Sequence, residues 1–239
     1  MFFHFLLYCL LKTEGVKITG MDIDAIIQKI SIWALPVLLA VILHEVAHGW
    51  VAEKFGDNTA RWMGRITLNP IKHIDPFGTI LIPLGLAIVG SPFLFGYAKP
   101  VPVDFRKLNN PKRDMIWVAL AGPATNLILA LVSTLLLALV LQLPTSLFWV
   151  IEPLALMCQA SIIINMVLCI FNLIPLPPLD GGRIAVGLLP GPLAWQLSRI
   201  EPYGFMIIVA LLFFGLFQAV LGPIIMGSSY WLIGLVLPV

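Results

Sequence analysis

The sequence predicts an all-α polytopic membrane protein. We expect a core of three transmembrane helices, a re-entrant strand-like insert at about residues 76–97, and an additional C-terminal transmembrane helix. Hydrophobic residues make up 60% of the chain and charged residues only 11%, with a mean hydropathy of +1.01 that soluble domains of this length do not reach. Four stretches have the length of a spanning helix, at about residues 30–52, 115–142, 155–179 and 204–226.

Residues 1–29 are predicted to be an N-terminal interfacial segment, with Met21 as an alternative start. The first apolar stretch, Met1 to Leu11, is too short to span a bilayer and lacks the basic start and cleavage site of a signal peptide. Residues 30–239 then form a single integral membrane domain, since no internal repeat or flexible linker divides them.

Composition also narrows the classes of partner. A net charge of +2 is too small to suggest nucleic acid. Cys9, Cys158 and Cys169 lie singly in apolar runs and have no metal-like spacing, so neither a disulfide framework nor a cysteine metal site is expected.

The first predicted helix carries an HExxH motif, His44-Glu45-Val46-Ala47-His48. On a helix, positions i and i+4 differ by about 40° and about 6 Å, so His44 and His48 can share a Zn²⁺. Glu45 lies beside them, where it can take a proton from a water that the metal activates. A histidine in a helix is more often a hydrogen-bonded core residue, but ionisable groups are costly in hydrocarbon and indicate a functional site.

Asp180 is the best candidate for a third ligand, which a catalytic zinc needs in addition to the two histidines. It follows three prolines in the run from Asn172 to Arg183, which we expect to unwind the third core helix and free the carboxylate at its end. The histidines also come late in their helix. Because Asp180 comes at the end of its own helix, the two helices must run in the same direction to bring these residues to one depth. An odd number of full crossings must then separate them.

The stretch at 76–97 is interrupted throughout by glycine and proline, which favours re-entrant, strand-like backbone over a straight helix. A kinked helix is the alternative. Such an insert could pair with an extended substrate strand by β-augmentation, or simply shield the metal from lipid. Parity supports the re-entrant form, because the helix at 115–142 already supplies the one crossing required.

The distribution of charge predicts the same topology. With 76–97 re-entrant, ten basic residues fall on one side, which the positive-inside rule places in the cytoplasm. The opposite loop near 143–154 holds only Glu152. The ten residues are Arg61, Arg65, Lys72, Lys99, Arg106, Lys107, Lys112, Arg113, Arg183 and Arg199.

Together these motifs resemble the site-2 proteases, a family of membrane zinc metalloproteases that cut other proteins inside or beside the membrane. Two further stretches carry the resemblance: Ala121-Gly122-Pro123-Ala124-Thr125-Asn126 is similar to the family's AGPxxN signature, and Gly96 to Val103 to a segment of its compact prokaryotic members. The resemblance covers about residues 30–190. It implies His44, His48 and Asp180 as zinc ligands, Glu45 as the catalytic glutamate, and a compact form without PDZ or CBS domains.

Several polar residues lie near this predicted site. Ser161, Asn165 and Asn172 share one face of the third core helix, and we expect Ser161 and Asn165 to bond to neighbouring helices. Asn172 is predicted to be catalytic: it would donate to a substrate carbonyl or its oxyanion, or orient the substrate strand. Asn126 is a weaker candidate for that work. His73 and His4 are expected to be interfacial residues.

The sequence thus predicts a multi-pass plasma-membrane zinc endopeptidase that cleaves transmembrane segments of other proteins from the cytoplasmic half of the lipid bilayer. A metal-ion transporter using the same ligands is one alternative, although transit needs no glutamate beside the metal. A catalytically silent scaffold is another, against which the intact Glu45 argues.

Overall fold

The computed structural model describes residues 23–81, 85 and 98–237, and this part of the chain consists of helices and the loops that connect them, with no strand. One π-helix, Pro76–Leu81, and three 3-10 turns lie in the connections. The α-helices are α1 (Ile23–Lys54), α2 (Thr59–Trp62), α3 (Pro111–Val140), α4 (Phe148–Asn172), α5 (Asp180–Leu188), α6 (Gly191–Ser198), α7 (Glu201–Phe213) and α8 (Leu216–Gly234).

Among the described residues, three helical spans are long and apolar enough to cross a membrane: Ile27–Lys54, Pro111–Val140 and Thr145–Asn172. They confirm the three predicted core helices. The third begins and ends earlier than expected, because the helix stops at Asn172 and the prolines that follow it cannot continue the backbone hydrogen bonding.

Side-chain contacts give the direction of the first two core helices. Ala40 on α1 accepts a hydrogen bond from Asn126 on α3, whereas His48, two turns further along α1, contacts Val118. Residue numbers rise along one helix as they fall along the other, so α1 and α3 are antiparallel.

Side-chain contacts also give the relative direction of α3 and α4. Asn126 bonds to Asn165, and Ser133 bonds to Ser161, so these two helices are also antiparallel. Helices α1 and α4 therefore run in the same direction, as the placement of the predicted ligands requires. These bonds also confirm that Ser161 and Asn165 pair with a neighbouring helix.

The connection between α1 and α3 leaves and returns at one end of the bundle. The backbone N–H of Asn109 donates to the carbonyl oxygen of Phe55 at 2.8 Å. The buried carboxylate of Asp57 accepts from the N–H of Asp104 at 2.7 Å. Phe55 and Asn109, where this connection begins and ends, therefore lie at the same end of the bundle.

Part of the predicted insert differs from expectation. Pro76–Leu81 is a π-helix rather than strand-like backbone. Its cause is local: the Asp75 carboxylate accepts hydrogen bonds from the N–H groups of Phe77 and Gly78, which favours a helical turn. Residues 82–84 and 86–97, on which the rest of that prediction falls, lie outside the described residues.

The C-terminal region also differs from the single helix predicted at 204–226. Helix α7 ends at Phe213, and α8 begins at Leu216, after Gly215 at a φ of 71°. That left-handed backbone suits glycine and interrupts a helix. Leu232 and Ile233 of α8 pack with Leu137 and Ile162 of the core helices. A C-terminal crossing of the membrane stays a prediction.

Candidate metal centre

His44 and His48 occupy one face of α1, directed at α3. Their Nε2 atoms are 3.1 Å apart and their rings lie nearly at right angles. Both side chains are almost fully buried. The one-turn spacing of the motif thus brings the two imidazoles together at one point between the helices.

Asp180 completes this cluster, although its local structure differs from the prediction. It is the first residue of α5, not a residue at the end of the third core helix. Its Oδ2 lies 3.3 Å from Nε2 of His44 and 3.4 Å from Nε2 of His48. The prolines end α4 and turn the chain back, so that a new short helix presents the carboxylate.

Two glycines allow α5 to lie close against this turn. A Cβ on Gly181 would overlap the backbone of Leu173 and Ile174, and one on Gly182 would overlap that of Leu176 and Pro177. The Asp-Gly-Gly sequence is therefore a requirement of close packing directly after the carboxylate.

The far end of α5 is fixed to the beginning of α3. Gly187 faces the side chain of Ile116, and the Lys112 ammonium donates to the carbonyl oxygen of Leu189 at 2.6 Å. Since α5 is held at both ends, the position of Asp180 relative to the histidines is determined by packing along α3.

The three ligand atoms fit a metal ion. They lie within 4.8 Å of one another, and their pairwise separations are close to the edge of about 3.3 Å expected for a tetrahedron with Zn–N and Zn–O bonds near 2 Å. Oδ2 of Asp180 is buried and has no hydrogen-bond partner. A cation among these atoms would satisfy a carboxylate oxygen that would otherwise be costly to bury.

Gly122 on α3 lies directly against the rings of His44 and His48. A Cβ at this position would lie 2.6 Å from Nε2 of His44 and closer still to Nε2 of His48. Any larger residue would fill the space in front of the ligand atoms. Gly122 therefore packs directly against the two imidazoles.

The outer ring nitrogens determine which tautomer each histidine adopts. Nδ1 of His48 donates to the carbonyl oxygen of Val118 at 2.7 Å, and Nδ1 of His44 donates to Oδ1 of Asn126 at 2.6 Å. With the proton on Nδ1, the lone pair of Nε2 faces the cluster, as a metal ligand requires. Two lone pairs and a carboxylate then converge, an arrangement that a cation stabilises.

Asn126 is fully buried and uses its whole amide in this network. Its Nδ2 donates to the carbonyl oxygen of Ala40 at 3.2 Å and to Oδ1 of Asn165 at 2.8 Å. These bonds turn Oδ1 toward His44. The amide of Asn126 therefore supports a histidine and has no donor left for a substrate.

Glu45 lies beside the cluster and is partly exposed. Its Oε2 accepts a hydrogen bond of 2.7 Å from the backbone N–H of Val101. Val101 is itself buried, with its side chain against Gly49 one turn along α1. The carboxylate predicted to be catalytic is thus held by a backbone segment distant in sequence.

Asn172 and His73 are not part of the cluster. The Asn172 amide donates to the carbonyl oxygen of Leu168 in its own helix at 3.0 Å, and its proposed contact with substrate stays a prediction. His73 is buried, and its Nε2 donates to the carbonyl oxygen of Thr67 at 2.9 Å, while its position at the membrane interface stays a prediction. This bond holds the turn before the insert.

Sequence reasoning missed the backbone groups of this site. Val118 and Val101 act through their main-chain atoms, and no side-chain pattern indicates such a role. A proline on each side of Val101 was the available signal, because Pro100 and Pro102 lack N–H groups and favour an extended segment.

Comparison with known proteins agrees with this geometry. The sequence model of peptidase family M50 matches residues 32–152 and 150–215. YwhC of Bacillus subtilis, named as a candidate zinc metalloprotease, is 41% identical over 192 residues, covering 80% of this chain and 84% of YwhC. No solved structure gives a significant match.

Two further relatives carry names of the same kind. Rip2 of Mycolicibacterium smegmatis is 32% identical over 73% of this chain and 64% of its own length, and MJ0611 of Methanocaldococcus jannaschii is 28% identical over 70% and 73%. Both are named as candidate zinc metalloproteases. With the family match spanning the three core helices and the histidine–aspartate cluster, the chain belongs to peptidase family M50, the site-2 protease family of zinc metalloproteases.

Proposed function

We propose that this protein is an intramembrane zinc endopeptidase that hydrolyses peptide bonds within or next to transmembrane segments of other membrane proteins, in regulated intramembrane proteolysis. One observation carries the proposal. The cluster of two histidines and an aspartate lies between helices that are long and apolar enough to cross a bilayer, and His44 and His48 fall inside one of those spans. A substrate that reaches this site must itself enter the membrane region.

His44, His48 and Asp180 are the proposed zinc ligands. When bound there, Zn²⁺ supplies Lewis-acid chemistry, which polarises a carbonyl group and makes water a nucleophile at neutral pH. The protein's contribution is to orient the ligands. The Nδ1–H bonds to Val118 and Asn126 hold both rings, and the packing of α5 holds the carboxylate.

Glu45 is the proposed general base and acid. Its side chain takes the proton of the attacking water and passes it to the nitrogen of the leaving amine, so that hydrolysis releases an amine and a carboxylic acid. The proton of that acid then passes to the amine or to solvent, which leaves a carboxylate. The Val101 N–H bond engages Oε2 and restricts the side chain to one orientation. Oε1 is then the oxygen that exchanges the proton.

Asn172 is the proposed partner of the substrate carbonyl. It lies at the last position of α4, directly before the turn that leads to Asp180. On substrate binding its amide would exchange the carbonyl oxygen of Leu168 for the substrate oxygen, where negative charge develops.

The proposed location is the cytoplasmic half of the plasma membrane. The loops at the histidine end of α1 carry Arg61, Arg106 and Lys107, and these lie near one another around Asp104 and Glu53. Basic loops stay in the cytoplasm during membrane insertion. The loop at 143–154 lies at the other end of the bundle and has no basic residue.

The proposal is tested with purified protein in liposomes and a panel of single-span membrane proteins, together with an unfolded soluble protein as control. We expect cleavage of at least one single-span protein within or beside its apolar segment, inhibition by a zinc chelator, and recovery on adding zinc. Cleavage of the soluble control alone would contradict an intramembrane substrate.

A further inference from the structure

Arg65 is a buried arginine that the proposed mechanism does not use. It lies in the connection after α2 and is only 6% exposed. Within residues 23–81 and 98–237, no carboxylate lies within 4.0 Å of its guanidinium group, whereas Arg61 and Arg106 each pair with an acidic residue. Burying a cation without such a partner is costly, so its hydrogen bonds must offset the cost.

Those hydrogen bonds go to the extended segment beside Glu45. Nη2 of Arg65 donates to the carbonyl oxygen of Lys99 at 2.8 Å and to that of Pro100 at 3.2 Å. The charge of the guanidinium makes these bonds stronger than those between neutral groups. Arg65 therefore holds two successive carbonyl groups in a fixed orientation.

The second of these carbonyls belongs to the peptide group that binds Glu45. The oxygen of the Pro100–Val101 peptide accepts from Arg65, and the N–H of the same peptide donates to Oε2 of Glu45 at 2.7 Å. A cation at the oxygen polarises the amide and strengthens the bond that its N–H donates. One planar peptide thus connects the guanidinium to the carboxylate.

Among the described residues, the other hydrogen bonds to this segment lie at its two ends. The N–H of Lys99 donates to the carbonyl oxygen of His73 at 2.9 Å, and the N–H of Asp104 donates to Asp57. Pro100 and Pro102 have no N–H with which to fix the intervening peptides. The orientation of the Pro100–Val101 peptide therefore depends on Arg65.

We propose that Arg65 is a positioning residue for Glu45, acting through the Pro100–Val101 peptide. This inference rests on the proposed role of Glu45 as general base and acid. Without Arg65 the peptide can rotate, the Val101 N–H leaves Oε2, and the carboxylate samples orientations that do not reach the reacting water. Arg65 bonds to the carbonyl oxygens of Lys99 and Pro100 and to none of the three proposed ligands, so on this proposal its loss changes turnover and not metal binding.

Activity measurements on Arg65→Met test this first. Methionine retains the apolar stem and removes the donors, and a small misplacement of a catalytic group can cost about 10²-fold in rate. We expect kcat to fall about that much, with KM and zinc content unchanged. Arg65→Lys should recover at least about tenfold, because an ammonium still donates to one of the carbonyls. Arg61→Met, which removes an exposed arginine four residues away, is the matched control and should retain wild-type kcat.

Hydrogen exchange gives a readout that does not depend on activity. Residues 100 and 102 are prolines, and the first residue of a proteolytic fragment carries an amine instead of an amide, so a peptide spanning 99–103 reports only the amides of Val101 and Val103. Arg65→Met should accelerate exchange of the Val101 amide in the zinc-loaded protein, and Arg61→Met should not. Unchanged exchange at Val101 in Arg65→Met would overturn the proposal.

A double-mutant comparison separates positioning from general stability. Glu45→Asp shortens the side chain and removes the bond to Val101, so adding Arg65→Met should lower kcat little further. Losses that simply multiply would contradict the proposal, as would wild-type kcat in Arg65→Met. Different results would contradict the proposed function itself: Glu45→Gln would remain active, or the wild-type protein would cleave no membrane substrate.

Discussion

Nδ1 of His44 donates a hydrogen bond of 2.6 Å to Oδ1 of Asn126, a buried amide on the neighbouring core helix. The amide has a single orientation, because its nitrogen already donates to Ala40 and Asn165. One asparagine thereby fixes both the tautomer and the direction of a metal-binding ring. The AGPxxN sequence has a structural meaning here that differs from substrate binding.

Asn126→Ala should weaken zinc binding without removing a ligand. Loss of such an outer hydrogen-bond partner typically costs about 10- to 100-fold in metal affinity, because the ring is free to rotate and change tautomer. The measurement is competition for zinc against a chelator of known affinity. Ser133→Ala is the matched control, since Ser133 is a buried polar residue two turns further along the same helix. Equal zinc affinity in Asn126→Ala and wild type would contradict this role.

Gly122→Ala should lower zinc affinity, although it adds only one methyl group. The added methyl would occupy the space in front of the Nε2 atoms of His44 and His48. Overpacking costs about 1–3 kcal/mol. If that strain falls on the metal site, zinc affinity should fall about 10- to 100-fold.

Elemental analysis after a mild chelator challenge measures the effect of Gly122→Ala. Gly227→Ala on α8 is the control, because nothing lies within 4 Å of a Cβ there. If Gly122→Ala retained zinc as the wild type does, the cluster described here would not be the metal site.

Asp180→Asn should weaken zinc retention while the fold is maintained. The amide preserves the size of the side chain but replaces the negatively charged carboxylate oxygen by a neutral and weaker metal ligand. Zinc per protein is measured before and after chelator challenge, with circular dichroism as the check on folding. Wild-type zinc occupancy in Asp180→Ala would overturn the assignment of Asp180 as a ligand.

Topology provides a test that is independent of the metal. Cysteines introduced near Asn58 and near Asn109, in a background without the native cysteines, should both react only from the cytoplasmic side. A cysteine near Thr145 should react only from outside. The contact between Asn109 and Phe55 places the first two on one side of the bundle. Labelling of positions 58 and 109 from opposite faces would contradict both this contact and the proposed orientation.

The grouping of His44, His48 and Asp180 could be predicted from sequence, because it followed from helical spacing and from the relative direction of the core helices. The HExxH motif places two histidines on one helical face, and the lengths of the apolar stretches give the number of core helices. With one helix between them, α1 and α4 must run in the same direction, and the bonds that Asn126 and Ser133 make to α4 agree with that direction. Zinc as cofactor and membership of the protease family followed from the same motifs.

The remaining features depend on contacts between segments distant in sequence. Asp180 begins a new helix because α5 packs along α3 through Gly187, which local propensity does not encode. The bond from Val101 to Glu45 joins main chain to side chain across 56 positions. Gly215 ends α7 because its backbone adopts positive φ, although the surrounding apolar run reads as one continuous helix.

The most direct test of the central claim is the rate of substrate cleavage by Glu45→Gln, measured beside its zinc content. Glutamine keeps the size and hydrogen-bonding reach of the side chain but cannot accept a proton. General acid–base assistance is worth about 10² to 10⁴ in rate, and Glu45 serves both water attack and amine departure, so we expect kcat to fall at least about a thousandfold with zinc retained. If Glu45→Gln retains zinc and cleaves a single-span substrate within about tenfold of wild type, Glu45 is not the catalytic base and the proposed mechanism is wrong.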